Sequence, residues 1–272
     1  MKLKLSILLI VLCSILVTAF GQKETPKTTT KTKTKTEAKT VKPKTIGAKP
    51  SAVKMPTVKK ILAKYVQAIG GRKANGKIKN RMVKGSAEIP AAGIKGTFEY
   101  YTAAPDKSLS KIMLAGIGEI IEGFDGTTAW SINPIQGNRD KQGEELAQTK
   151  ITYNFYRELN LDKLYSKMEL KGMEKLGDKD VYVIVATPEN LPPETFYFDA
   201  KSGLLLRQDI IVISPEGKLP TKTFFEDIRE VDGVKIPFKT RSVLPQFEII
   251  ATTTEVKNNI AIQDNKFTKP KS

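Results

Sequence analysis

Glu194-Thr195-Phe196-Tyr197-Phe198-Asp199-Ala200-Lys201-Ser202-Gly203-Leu204 decides the architecture. Phe196 and Phe198 alternate with Thr195 and Tyr197, the period of two expected of a strand with one apolar face. Lys201-Ser202-Gly203 then supplies a turn whose glycine accepts positive φ, and a second apolar run begins at Leu204. A link this short joins antiparallel neighbours, because a parallel crossover needs a dozen or more residues.

The same grammar extends in both directions. Strands are predicted over residues 81–88, 94–102, 108–114, 119–124 and 128–132, and after an interruption over 168–175, 181–187, 194–199, 204–214, 221–228, 234–243 and 248–256. Asp125-Gly126, Glu216-Gly217 and Asp232-Gly233 mark further turns. Phe98, Tyr100 and Thr102 point one way along their strand, and Thr97, Glu99 and Tyr101 the other. Short links between successive strands imply a meander.

Two segments break the strand pattern. Val58, Ile61, Leu62, Tyr65, Val66 and Ile69 recur at helical spacing among Lys59, Lys60, Lys64 and Gln67, with Pro56-Thr57 suited to the start and Gly70-Gly71 to the stop. This amphipathic helix is expected to lie on the domain's own sheet. The interruption, roughly Gly143 to Leu164, reads as helical, with Leu146, Tyr153, Tyr156 and Leu161 among polar residues. A dozen strands with two helical segments excludes a doubly wound fold. The class expected is mainly β with helices (α+β): one strongly curved antiparallel sheet whose concave face the helices cover.

The N-terminal part has a different composition. Residues 1–21 read as a secretory signal peptide: Lys2 and Lys4, an uncharged run from Leu5 to Phe20, then Ala19-Phe20-Gly21 before Gln22. Left uncleaved, it would serve as an N-terminal anchor. Cys13 is the sole cysteine, and Leu12 before it is too bulky for a lipoprotein signal, so the mature chain is expected to have neither disulfide nor thiol chemistry. No Asn-x-Ser/Thr acceptor occurs, and a Gram-negative periplasm is the expected compartment.

Residues 22–54 form a Lys/Thr/Pro-rich tether, expected to be a disordered spacer for want of apolar residues to offset the entropy of ordering. Ten lysines against Glu24 and Glu37 give it +8, the signal peptide adds +2, and of the chain's +16 only +6 is left for residues 55–272, read as one domain. The tether has the charge to touch anionic envelope surfaces; export argues against nucleic acid as its partner.

The chain contains no histidine, which removes Ser-His-Asp and Cys-His catalysis and histidine metal sites. Glu144-Glu145, Asp178/Asp180 and Glu226-Asp227 read as solvated faces or turn groups. Gly116-Ile117-Gly118 is not a nucleotide loop, since the third glycine is Gly123 and no helix follows. No catalysis, metal or cofactor is expected. Trp130, the one tryptophan, is read either as a core anchor or as the wall of a ligand site.

Gly123-Phe124-Asp125-Gly126-Thr127-Thr128-Ala129-Trp130, Tyr197 to Arg207, Val231-Asp232-Gly233-Val234-Lys235-Ile236-Pro237 and Asn259 to Phe267 together resemble the LolA/LolB-like superfamily, specifically its outer membrane lipoprotein-sorting branch. The resemblance spans roughly residues 56–270. It implies an unclosed β-barrel whose concave face, lidded by helices, holds lipid or lipoprotein acyl chains. The arginine that latches the lid in the well-studied carriers has no assigned counterpart here, and the Lys/Thr tether is not part of the family pattern. Candidates for a hydrophobic groove are Phe98, Tyr100, Met113, Leu114, Trp130, Phe196 and Phe198 on the sheet, with Ile61, Leu62 and Tyr65 on the helix. The alternative expectation is an envelope sensor or accessory module whose partner is an inner- or outer-membrane protein.

Overall fold

The computed structural model describes residues 55–134 and 136–270; the predicted signal peptide and tether lie outside the described residues. Helix α1 (Val58–Ala68) begins where Thr57 accepts a hydrogen bond from the Lys60 backbone N–H, and it buries Ile61, Leu62, Tyr65 and Val66. Gly70 ends it at φ 105°, with a Cβ position only 2.2 Å from the Gly233 carbonyl oxygen, so only glycine permits that approach. The chain then restarts as α2 (Gly71–Lys77), a helix that the Gly70-Gly71 stop signal conceals.

Strands β1 (Asn80–Ile89), β2 (Ile94–Ala103), β3 (Lys107–Leu114), β4 (Gly118–Phe124), β5 (Ala129–Asn133) and β6 (Gly137–Asp140) form a first meander. Helix α3 (Gly143–Thr152), a 3-10 turn (Arg157–Leu159) and α4 (Leu161–Leu164) follow. A second meander comprises β7 (Lys167–Leu176), β8 (Lys179–Thr187), β9 (Glu194–Asp199), β10 (Leu205–Ser214), β11 (Gly217–Val231), β12 (Val234–Val243) and β13 (Glu248–Asn258). All pairings are antiparallel in one open sheet, ordered β6-β5-β4-β3-β2-β1-β13-β12-β11-β10-β9-β8-β7. The two meanders join through β1 and β13, which leaves β6 and β7 as the edges. These edge strands are consecutive in sequence, so residues 141–166 form a strap from one edge to the other.

The sheet face under the helices is not uniformly apolar. One cross-strand row reads Phe196, Gln208, Thr223, Ser242, Ile249. In the neighbouring rows, Thr240 lies between Phe225 and Ala251. This polar band separates two cores. The first joins Phe98, Tyr100, Ile112, Leu114 and Phe124 of the first meander to Val212 and Ile249 of the second, under Tyr153 of the strap. The second packs α1 on Ile184, Phe196, Phe198, Leu205 and Phe225, with Leu159, Leu161 and Tyr165 from the strap.

Helix α3 closes the seam between the sheet's two halves. β9 pairs β10 only as far as Asp209, so the β10 backbone beyond it lacks a strand on that side. Gln148 takes the strand's place: its amide donates to the Ile211 carbonyl at 2.8 Å and accepts from the Ile213 N–H at 3.0 Å. On the other flank Arg139 of β6 makes a bidentate pair with Glu145, both contacts 2.7 Å. Glu145 is therefore a clamped, mostly buried group, not the solvated one expected from the sequence.

The opposite face carries a smaller core. Trp130 and Leu109 pack there with Phe267 of the C-terminal segment, and the indole N–H donates to the Phe267 carbonyl at 3.4 Å. Gly123 lies opposite Trp130 in the ladder, and a Cβ there would sit 2.3 Å from the indole ring.

Candidate functional site

Where α1 and the strap run side by side they leave a groove of about 610 Å³, within the span of small-molecule sites. Its floor is apolar: Val58, Leu62 and Val66 from α1, Leu159 and Leu161 from the strap, and Met168 from β7. The helical spacing that makes α1 amphipathic also builds this floor, because residues at i, i+4 and i+8 share one side. Exposed Ala63 keeps the upper wall low. The rim is charged, with Lys59 and Arg72 on one side and Glu158 and Asp162 on the other.

Two hydrogen bonds bridge from the helices to the strap. The Tyr65 hydroxyl donates to Glu158 at 2.5 Å, and the Arg72 guanidinium donates to the Leu159 carbonyl at 2.7 Å. Behind the floor the strap is held by a buried polar cluster. Arg157 donates to Glu158 at 2.9 Å, to the Tyr165 hydroxyl at 2.7 Å and to Glu194 of β9 at 3.0 Å. The same Glu194 oxygen accepts from Tyr165 at 2.7 Å and from Gln208 of β10 at 2.6 Å. The Arg157 guanidinium also lies 5.6 Å from the centre of the Phe196 ring.

Burial opposes the Arg157 charge, yet Tyr165, Glu158 and Glu194 outweigh it and hold the guanidinium above its usual pKa. Burial pushes the Tyr65 phenol well up, and Glu158 reinforces the shift. Burial does the same for Tyr165. Both phenols therefore stay protonated donors at neutral pH, and the cluster is a fixed clasp. Among the described residues Arg157 Nε and Gln208 Oε1 have no hydrogen-bond partner. The site offers apolar contact with a few orienting polar groups, and among the described residues no histidine, cysteine, aspartate or glutamate cluster could hold a metal.

The ten sequence candidates separate into three places. Ile61, Leu62, Tyr65, Phe196 and Phe198 meet in the core behind the groove, and Leu62 reaches its floor. Phe98, Tyr100 and Leu114 lie in the other core, sealed beneath α3. Met113 and Trp130 face away from both: Met113 is 49% exposed, and Trp130 is fully buried on the opposite face. The core-anchor reading of Trp130 is the one its position matches. Register is the reason, since Gly123 opposite Trp130 neighbours the inward Phe124, and Thr97 opposite Met113 neighbours the inward Phe98.

Sequence reasoning did not single out Val58, Val66, Leu159, Leu161 and Met168 for the groove, nor Arg157, Tyr165, Glu194 and Gln208 for the clasp. One signal for the clasp is in the opening stretch. Glu194 shares the inward parity of Phe196 and Phe198, and a carboxylate there needs a cation and donors from another element.

No helix among the described residues is long and apolar enough to cross a membrane. No protein-family model matches the sequence, and no curated protein matches it. Solved structures do. One is a DUF1329 family protein from Desulfovibrio piger, 16% identical over 77% of this chain and 96% of that chain, with a TM-score of 0.52. Another is a LolA superfamily protein from Nitrosomonas europaea, 14% identical over 79% of this chain and 99% of that chain, also with a TM-score of 0.52. The chain has a LolA-like fold.

Proposed function

We propose that the chain is exported to the periplasm and there binds a lipid or lipoprotein acyl chain, without catalysis, in the groove between α1 and the strap. The observation that carries this reading is the open apolar floor, flanked by two elements that side chains hold in place, outside the ladder of the sheet. Burying a methylene contributes about 0.8 kcal/mol, so six of them supply about 5 kcal/mol, more than three decades of affinity. Spreading α1 from the strap would extend the groove onto Tyr65, Phe196 and Phe198. The LolA-like fold supports the reading. Non-catalytic binding agrees with the absence of histidine from the chain.

Native mass spectrometry of the mature protein, with titration of a fluorescent fatty acid, tests this. A co-purifying lipid or saturable probe binding is expected, weakened at least tenfold by Ala63→Phe. A ligand-free protein that fails to bind the probe overturns the reading in favour of the accessory-module alternative.

A further inference from the structure

The basic charge of the domain is concentrated in one place. Residues 55–77 carry six cations and no acid, whereas residues 78–272 carry 27 Lys and Arg against 27 Asp and Glu. The +6 of the domain is therefore the charge of the α1–α2 hairpin alone. Lys59, Lys60, Lys64, Arg72, Lys73 and Lys77 are all exposed. Elsewhere many cations find carboxylates, as in Lys84–Glu99, Lys218–Glu144 and Arg229–Asp227. Among the described residues none of the six hairpin cations does. Lys64 and Arg72 are held only by the carbonyls of Ala200 and Leu159.

Position gives this ridge a meaning. Lys59 and Arg72 stand on the rim of the groove, and Lys60 and Lys64 on the other flank of α1. Of the carboxylates near it, Glu158 is taken by Tyr65 and Arg157 and Asp199 by Ser202 and the Lys201 N–H, while Asp162, on the far rim of the groove, pairs with none of the ridge cations among the described residues. Met55, one of three exposed large hydrophobics among the described residues, precedes the ridge, and half-buried Val58 opens α1. An unpaired cationic ridge with an apolar tip complements phosphate headgroups above acyl chains.

We propose that the α1–α2 hairpin seats the mouth of the groove on an anionic, phosphate-bearing lipid surface. The inference rests on the acyl-chain reading of the groove and adds how the groove meets its source of ligand. A cation near a charged membrane is worth about a factor of five in partitioning, so losing four weakens it on the order of 10²–10³-fold.

The test is flotation of the full mature chain with vesicles of phosphatidylcholine alone or mixed with phosphatidylglycerol. Binding is expected only to the mixed vesicles and is expected to fall with salt. Lys60→Gln/Lys64→Gln/Lys73→Gln/Lys77→Gln, at exposed positions outside the groove, should reduce it far more than Lys31→Gln/Lys33→Gln/Lys35→Gln/Lys39→Gln in the tether. The hairpin variant should keep fatty-acid binding in free solution. Ala63→Phe should lose the fatty acid and keep the vesicles, so failure of either reading is seen separately. Equal losses from the two quadruple variants, or equal binding to a soluble polyphosphate, would overturn the proposal.

Discussion

Replacing Arg157 with methionine removes the cation of the clasp while keeping an apolar chain of similar length. Glu194 is then left with two neutral donors, Tyr165 and Gln208, in a setting where its residue is 6% exposed. Breaking a buried pair by removing one partner costs about 3–5 kcal/mol, mostly from the charge left behind. For a domain of this size about 4 kcal/mol lowers Tm by roughly 8–16 °C. Restoring neutrality in Arg157→Met/Glu194→Gln should recover about half of the loss, because the amide keeps its hydrogen bonds without the stranded charge. Thermal and urea unfolding followed by circular dichroism measures the global term, and Trp130 on the opposite face reports it independently. Limited proteolysis of residues 141–166 measures the strap, and cleavage should quicken before the sheet unfolds. A single variant less than about 1 kcal/mol below the parent, or a double variant no better than the single, would refute the assignment of Arg157 and Glu194 as a paired clasp.

Further outcomes follow from other sites. Gln148→Ala orphans the Ile211 carbonyl and the Ile213 N–H, and should cost about 2–3 kcal/mol in urea unfolding, whereas Gln148→Glu should restore at most the bond to Ile213. Gly123→Ala drives a methyl into the Trp130 indole, and should cost about 1–3 kcal/mol with a shift in tryptophan emission. The raised Tyr65 and Tyr165 phenols contribute stability that is complete below their unfolded pKa near 10 and is lost as pH rises beyond it. Stability should therefore fall by about 2.7 kcal/mol per pH unit above about pH 10, a slope that Tyr65→Phe/Tyr165→Phe should flatten in alkaline denaturation.

Strands are legible in this sequence because their turns are chemically marked, and β9 and β12 begin and end where alternation predicts. β6 is not legible: Gly137-Asn138-Arg139-Asp140 has no apolar residue and belongs to the sheet through its backbone pairing with β5. Parity within one strand is equally readable, as Phe98/Tyr100 and Phe196/Phe198 demonstrate. Parity between strands depends on register, and here the C-terminal segment buries the outer face as well. Trp130 on that face therefore carries the same apolar signature as Phe124 on the inner one. The groove is harder still to read, since its floor is assembled from α1, the strap and β7, three segments whose proximity only the sheet order creates.

That order also decides which parts of the molecule can yield. The two meanders meet at β1 and β13 in the middle of the sheet, so the chain leaving the edge β6 must travel to the far edge β7 before it can pair again. The strap is thus a consequence of topology, and its ends are fixed by ladders of backbone hydrogen bonds. Its middle is not. Between Thr152 and Ser166 it is held by one backbone contact, the Phe155 N–H to the Pro105 carbonyl at 2.9 Å. Otherwise side chains hold it: the Arg157 clasp, the bridges from Tyr65 and Arg72, the Tyr156 hydroxyl on the Ile78 carbonyl and the apolar contacts of Leu159, Leu161 and Tyr165. Helix α1 is likewise held to the sheet chiefly by side chains. Segments held in this way open at lower cost than the strands beneath them. On the proposed reading, an apolar ligand entering between α1 and the strap would exchange their mutual contacts for its own without breaking a pairing of the thirteen-stranded sheet.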